Sequence, residues 1–247
     1  MTRDWDARTY DRVAVPMTRW GSIVLDRLPL AGDERVLDAG CGSGRVTEML
    51  AERLPHGSVV ALDGSASMVE AARDRLERFG DRVEYVVADL GQPLPIAPVD
   101  AVLSTATFHW VPDHDALFRN LAGVLRPGGR LVAQCGGAGN IATIEAVLRT
   151  VGDGWVGVHH FETPEATNRR LEAAGFVDID CWLNDEPTAM EPGDPFRSYL
   201  RTVVLGAHLE RLPPEDRDAF VDEVVARLPG MTIDYVRLNI LATRRRD

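Results

Sequence analysis

The chain is predicted to be an α/β protein, a doubly wound and mostly parallel sheet of the Rossmann-like kind. Three observations carry this. Through the first half, short β-rich runs alternate with helical patterns, and such alternation makes βαβ units with right-handed crossovers. The first strand runs into a turn, "VLDAGCGSG", with glycine at alternate positions Gly40, Gly42 and Gly44. Acids stand at the ends of three successive strands, Asp38, Asp63 and Asp89, where open α/β sheets bind ligands.

Residues 1–247 are read as one domain, opening with a helical segment over 1–30. "RVLDAG" (35–40) is a strand and "GRVTEMLAERL" (44–54) a helix. "SVVALD" (58–63) is a strand, followed by a helix over 65–80 that Gly80 ends. "VEYVVAD" (83–89), "DAVLST" (100–105) and "GRLVAQC" (129–135) are further strands. Between the last two, a helix over 113–125 starts at a capping Asp113 and stops at "RPGG". After Cys135 the pattern loosens into the turn "GGAGN". A helix over 163–176 has Thr163 as N-cap and Pro164 at its first position, and a strand follows near 177–183. A helical insertion over about 185–232, with helices near 194–211 and 214–228, precedes a long last strand, "IDYVRLNILATR" (233–244).

Composition narrows the function. Net charge is −11 and every basic residue is Arg, with no basic stripe apart from Arg244–Arg246, so a nucleic-acid or anionic-membrane partner is disfavoured. No apolar run approaches the length of a membrane span. The charged N-terminus lacks the apolar core of a signal peptide, so a cytoplasmic setting is expected. Cys41, Cys135 and Cys181 are far apart, which argues against a disulfide framework or structural zinc. No third ligand has useful spacing from His159 and His160, so no metal is expected.

The turn speaks to the ligand. A dinucleotide fingerprint needs a sixth-place glycine, but Arg45 stands there. A phosphate loop needs Lys, and there is none. Asp38 repels phosphate and suits a cationic amine. Asp63, about twenty residues past the glycines, can accept from two ribose hydroxyls. Asp89 can accept from an adenine amino group while the amide of Leu90 meets a ring nitrogen. Taken singly, each acid also suits a helix cap or a turn; three together beside this turn point to a ligand.

"VLDAGCGSG", "ALDGSASM", "VVADL" and "LRPGGRLV" resemble the successive motifs of class I S-adenosylmethionine-dependent methyltransferases, over roughly residues 30–135. The resemblance implies a seven-stranded sheet with an antiparallel last strand. It also implies S-adenosyl-L-methionine as cofactor. By motif, Gly40, Gly42 and Gly44 line the methionine portion and Asp38 holds the amino end, directly or through water. Asp63, with Gly64 beside it, holds the ribose; Asp89 and Leu90 hold the adenine, with Met68 packed near it. Ser104 stands where a backbone carbonyl meets the methionine amine, and Tyr10 where a tyrosine reaches the cofactor carboxylate.

A narrower resemblance runs through "RDWDARTYDR", "TATFHWVPDHDALFRNLAGVLRPGGRLV" and "LERLPPEDRDAFVDEVVARL". These are similar to the trans-aconitate methyltransferase family, which methylates carboxylates of small acids. His109 departs from its usual Gln and Thr105 from its usual Asn. The resemblance implies a small-molecule methyl acceptor. A carboxylate is already ionised at neutral pH and needs only donors to hold it; a hydroxyl needs a base. His109, after the fourth strand, is the candidate for either task. Trp110 is expected to wall the acceptor pocket, and Arg19, with Arg197 or Arg201, to grip acceptor carboxylates. Methylation of a natural-product hydroxyl or carbon, or of a carrier-bound acyl chain, stays open. So does a non-catalytic cofactor-binding protein.

Overall fold

The computed structural model describes residues 15–246; Tyr10 lies outside them. Helix α1 (Val15–Asp26) leads to β1 (Arg35–Ala39), α2 (Arg45–Glu52), β2 (Ser58–Asp63), α3 (Ala66–Leu76), β3 (Val83–Val87) and β4 (Val99–Thr105). Then come α4 (His114–Val124), β5 (Leu125–Gly136), α5 (Ala142–Leu148), α6 (Pro164–Ala173) and β6 (Phe176–Asp185). Short strands β7 (Thr188–Ala189) and β8 (Thr232–Ile233) pair as a separate ribbon. Between them lie α7 (Asp194–Tyr199), a π turn over Leu200–Val204, α8 (Gly206–Glu210) and α9 (Arg217–Arg227). Strand β9 (Val236–Arg244) ends the fold.

Seven strands pair in the order β3-β2-β1-β4-β5-β9-β6. All run parallel except β9, which is antiparallel to both of its neighbours. The predicted α/β sheet and its reversed last strand are therefore present. Successive side chains of a strand point to opposite faces, and here both faces are covered. Leu37, Val60 and Leu62 pack with Phe108, Phe118 and Leu121 on one side. Val36, Val59, Ala61 and Leu103 pack with Leu25, Leu50 and Ala72 on the other. Such double burial is what near-continuous apolar strands of a parallel sheet require. A third cluster joins Trp20 and α5 to the elements between β6 and β9, through Phe196, Tyr199, Leu200, Val221 and Tyr235. No helix among the described residues is long and apolar enough to cross a membrane.

The expected caps hold: Asp113 Oδ1 accepts from the Ala116 amide and Thr163 Oγ1 from the Ala166 amide. Other expectations need correction. The long helix predicted over 194–211 is broken by the π turn and by Leu205–Gly206. The last strand is split, because Ile233 pairs with Thr188 while Asp234 turns away to bond Thr143. Helix α5 and the β7–β8 ribbon had no clear pattern in the sequence. The "RPGG" segment lies inside β5 as a bulge, where Val99 and Ala101 pair with Leu125 and Arg130.

Leu37 is fully buried in β1 beside the sheet centre. Leu37→Ala is expected to cost about 2–5 kcal/mol, read as a lower urea midpoint with an unchanged slope.

Candidate active site

A cavity of about 680 Å³ opens at the carboxyl ends of β1, β2 and β4. One end is lined by Gly40, Gly42, Asp63, Gly64, Met68 and Asp89. The other is lined by His109, Trp110, His159, Phe161, Tyr235 and Arg237. Val203, Val204 and Ala207, from the segment between β6 and β9, complete the wall.

The three glycines serve three purposes. All have positive φ, at 86°, 53° and 84° for Gly40, Gly42 and Gly44, where a side chain is strained. A Cβ on Gly40 would collide with the side chain of Thr107, whose Oγ1 donates to the Gly40 carbonyl at 3.3 Å. A Cβ on Gly44 would press to 3.2 Å from the Cα of Ala72 in α3. Gly44 does not line the cavity, so its expected contact with the methionine portion is corrected to packing of one helix on another. At Gly42 a Cβ would meet no atom within 4 Å; a side chain there would enter the open space of the cavity.

The turn is tied to β2. The amides of Gly40 and Cys41 both donate to the Leu62 carbonyl, at 2.8 and 2.9 Å. The amide of Gly42 donates to Asp63 Oδ2 at 2.9 Å, and the Ser65 amide to Asp63 Oδ1 at 2.9 Å. Each carboxylate oxygen keeps a further lone pair, enough for a pair of hydroxyls. Burial raises the Asp63 pKa, opposed by its backbone donors. Asp89 sits two residues beyond β3, in a turn where its Oδ1 accepts from the Gly91 amide at 2.9 Å. Leu90 beside it is buried, its carbonyl held by Asn120 Nδ2 at 3.0 Å.

Asp38 and Ser104 also lie outside the lining. Ser104 Oγ donates to the Ala39 carbonyl at 2.6 Å, fastening β4 to β1. Asp38 is buried, with Thr47 Oγ1 donating to its Oδ2 at 2.7 Å and no hydrogen-bond partner at Oδ1. Burial, with the nearby charge of Asp63, pushes its pKa up to about 7 against the pull of Thr47. A buried carboxylate with a vacant oxygen favours a cationic neighbour. This orphan oxygen, the bare Gly42 and the doubly held Asp63 suit S-adenosylmethionine, with its ammonium, its slender amino-acid tail and its ribose.

At the other end β4 leads into Ala106, held at φ 58°. Its amide donates to the Gln134 carbonyl at 2.7 Å. The short turn Phe108–Trp110 then carries His109 into the wall. His109 Nδ1 accepts from the amide of Gly136 at 3.2 Å. A backbone amide can only donate, so the neutral ring carries its proton on Nε2. Burial holds the His109 pKa well below the ordinary value, helped by the nearby charges of His159, Arg237 and His114. Its ring stacks near Phe161 and His159, and His159 packs 4.3 Å from Trp110.

Other expected acceptor residues fall elsewhere. Arg19 is exposed on α1. Arg197 and Arg201 pair with Asp222 and Asp218. None of the three lines the cavity. The cationic side chain in the wall is Arg237 of β9, which sequence reading missed. No group of His, Cys, Asp and Glu suited to a metal occurs among the described residues.

Alanine at positive φ costs about 1–2 kcal/mol. Gly44→Ala adds a clash with Ala72 and is expected to lower Tm more than Gly42→Ala. Gly42→Ala is expected to lose more cofactor affinity, with calorimetry and thermal melts giving opposite rankings. Asp38 binds its proton more tightly folded than unfolded. Its contribution to stability is full below about pH 4 and is lost as pH rises towards about 7. Asp38→Asn is expected to remove this contribution, so that the Tm of the variant relative to wild type rises with pH over that window.

The chain matches a methyltransferase domain model over residues 37–133. It is 30% identical to a trans-aconitate 2-methyltransferase of Methylobacterium radiotolerans, over 92% of this chain and 90% of that one. It is also 30% identical to one of Rhizobium rhizogenes, over 98% and 99%. Among solved structures, a putative methyltransferase of Bacillus halodurans superposes with a TM-score of 0.64 at 22% identity, covering 91% of this chain and 98% of that one. Phosphoethanolamine N-methyltransferase 2 of Haemonchus contortus, in complex with S-adenosyl-L-methionine, superposes at 0.66 with 20% identity, covering 98% and 57%. Kinship that spans both chains almost end to end, on a sheet whose first turn makes the cradle above, fixes the family: the chain belongs to the class I S-adenosylmethionine-dependent methyltransferases.

Proposed function

We propose that this methyltransferase acts on an oxygen of a small-molecule carboxylate. The observation that supports it most is His109. Its Nδ1 is occupied by the Gly136 amide, so Nε2 offers a proton rather than taking one. A group in that state can orient an anion and cannot deprotonate a hydroxyl. The trans-aconitate 2-methyltransferases among the relatives support the same reading.

When bound, S-adenosylmethionine supplies a methyl on a positively charged sulfur; the acceptor oxygen bonds to the methyl carbon as the carbon–sulfur bond breaks and a neutral thioether leaves. No proton moves. The protein then has to align and to keep water out, work that can be worth about 7–11 kcal/mol. In this reading Asp63 accepts from the ribose hydroxyls and Asp89 with Leu90 brackets the adenine, beside Met68 and Gly64. Gly40 and Gly42 admit the methionine portion, and Asp38 meets its ammonium. Gly44 and Ser104 act indirectly, by holding α3 and β1 in place. Trp110, Phe161 and the segment carrying Val203 and Val204 wall the acceptor from solvent.

The test is a panel of small acids and hydroxylated compounds with labelled cofactor. Acids are expected to be methylated at a rate level from about pH 6 to 8, since a carboxylate is ionised throughout. His109→Gln keeps a donor and is expected to stay within about tenfold of wild type. His109→Leu is expected to lose more, about 10–100-fold, as a charge-assisted bond is removed. Methylation of hydroxyls alone, with a rate that climbs with pH and a His109→Gln loss of about 10²–10⁴-fold, would overturn the carboxylate reading.

A further inference from the structure

Asn140 is 4% exposed, yet it lines the cavity. It stands in the turn that follows β5, and backbone bonds pin that turn. The Gly137 amide donates to the Val236 carbonyl at 3.0 Å, the Ala138 amide to that of Glu162 at 2.9 Å and the Ile141 amide to that of Asp234 at 3.0 Å. The Asn140 amide turns back to the Gly137 carbonyl at 3.0 Å. The side chain is thus carried on a frame held from two other parts of the chain.

Its orientation is fixed as well. Asn140 Oδ1 accepts from the Val236 amide at 3.0 Å. A backbone amide can only donate, so the oxygen faces Val236 and Nδ2 is the other arm. Nδ2 donates to no acceptor among the described residues, in a residue that lines the cavity. A Cβ on Gly136 would stand 3.0 Å from Asn140 Nδ2 and 2.7 Å from the Phe161 ring, and the Gly136 amide is the donor that fixes His109. One bare residue therefore borders two neutral N–H donors, the His109 imidazole and the Asn140 carboxamide.

Neutral donors suit an acceptor that loses its charge. As the methyl bonds to one oxygen of a carboxylate and parts from sulfur, which keeps the electron pair of the broken bond, the other oxygen becomes the ester carbonyl. A cation on that carboxylate would stabilise the ground state more than the transition state and so slow the step. A carboxamide N–H finds an acceptor in the carboxylate and in the ester alike, so most of its hold persists through the transfer. Carried on a pinned turn, it needs no rearrangement as the charge shifts.

We infer that Asn140 Nδ2 donates to the acceptor carboxylate, at the oxygen that is not methylated, and leaves the other oxygen free to attack. Asn140 is then a further acceptor-binding residue beside His109. This rests on the carboxylate reading above.

Two variants separate the donor from the frame. Asn140→Asp keeps an oxygen for the Val236 amide and exchanges the donor for an anionic oxygen. Asn140→Ser removes the donor without adding charge, and serine suits turns. The acceptors are crotonate, benzoate, fumarate and the other acids of the panel that wild type methylates, at about pH 8, where carboxylic acids are ionised. Asn140→Ser is expected to lower kcat/KM about 10–100-fold, as a charge-assisted bond is lost. Asn140→Asp is expected to lose more, because like charges then face each other. A merely structural role would make Asp, which keeps the bond to Val236, the milder of the two. The cofactor Kd, read by calorimetry, is expected to stay close to that of wild type in both. The inference is overturned, with the carboxylate reading standing, if either folded variant methylates acids nearly as well as wild type, if Asp is milder than Ser, or if the cofactor Kd weakens in step with kcat/KM. If Asn140→Asp does not fold, Asn140→Ser carries the test on its own. If wild type methylates no acid, the carboxylate reading itself falls.

Discussion

The amides of Gly40 and Cys41 converge on one carbonyl, that of Leu62, and the next amide in line, that of Gly42, reaches the carboxylate of Asp63. These bonds lash the first turn to the end of the second strand. A turn with three glycines is costly to order, and without such partners its buried amides would be unsatisfied. Once it is lashed, Gly40 can pack under Thr107, Gly44 can receive α3, and Gly42 is left facing open space. The same bonds aim Asp63. The cofactor end of the cavity is thus one hydrogen-bonded unit rather than a set of separate contacts.

Charged side chains of both signs line the cavity. Asp63 and Asp89 line the cavity beside the glycine turn with Asp38 buried nearby, while Arg237 and Glu210 line it elsewhere, with a histidine whose burial keeps it neutral. Low polarity strengthens their effect, since charges interact more strongly away from water.

How much of this the sequence could reveal depended on distance along the chain. The cofactor end is local: each of its residues lies within a few positions of a strand end, and strand ends are legible from β-rich runs and glycines. Spacing does not say which way a residue faces, which is why Gly44 and Ser104 were assigned to the cofactor although neither lines the cavity. The acceptor end is non-local. Arg237 meets Gly136 through antiparallel register between strands far apart in the chain, and no periodicity encodes that. The seven-residue α5 is capped by Ile141, which lies just before it at φ 53°, a conformation rare for a β-branched residue, so no ordinary start signal marks it.

Strand β6 has a single neighbour in the sheet, β9. As the chain is synthesised, β6 is complete well before β9 exists, and the whole segment between them must be made first. During that interval β6 is an open edge, a template for pairing with other chains. Its sequence carries Asp178, Asp180 and Asp185 among its apolar residues, and repeated charge is how natural proteins discourage edge-to-edge association. The finished sheet halves that exposure without ending it, since β6 remains the terminal strand, and its acids suit the strand both during birth on the ribosome and afterwards.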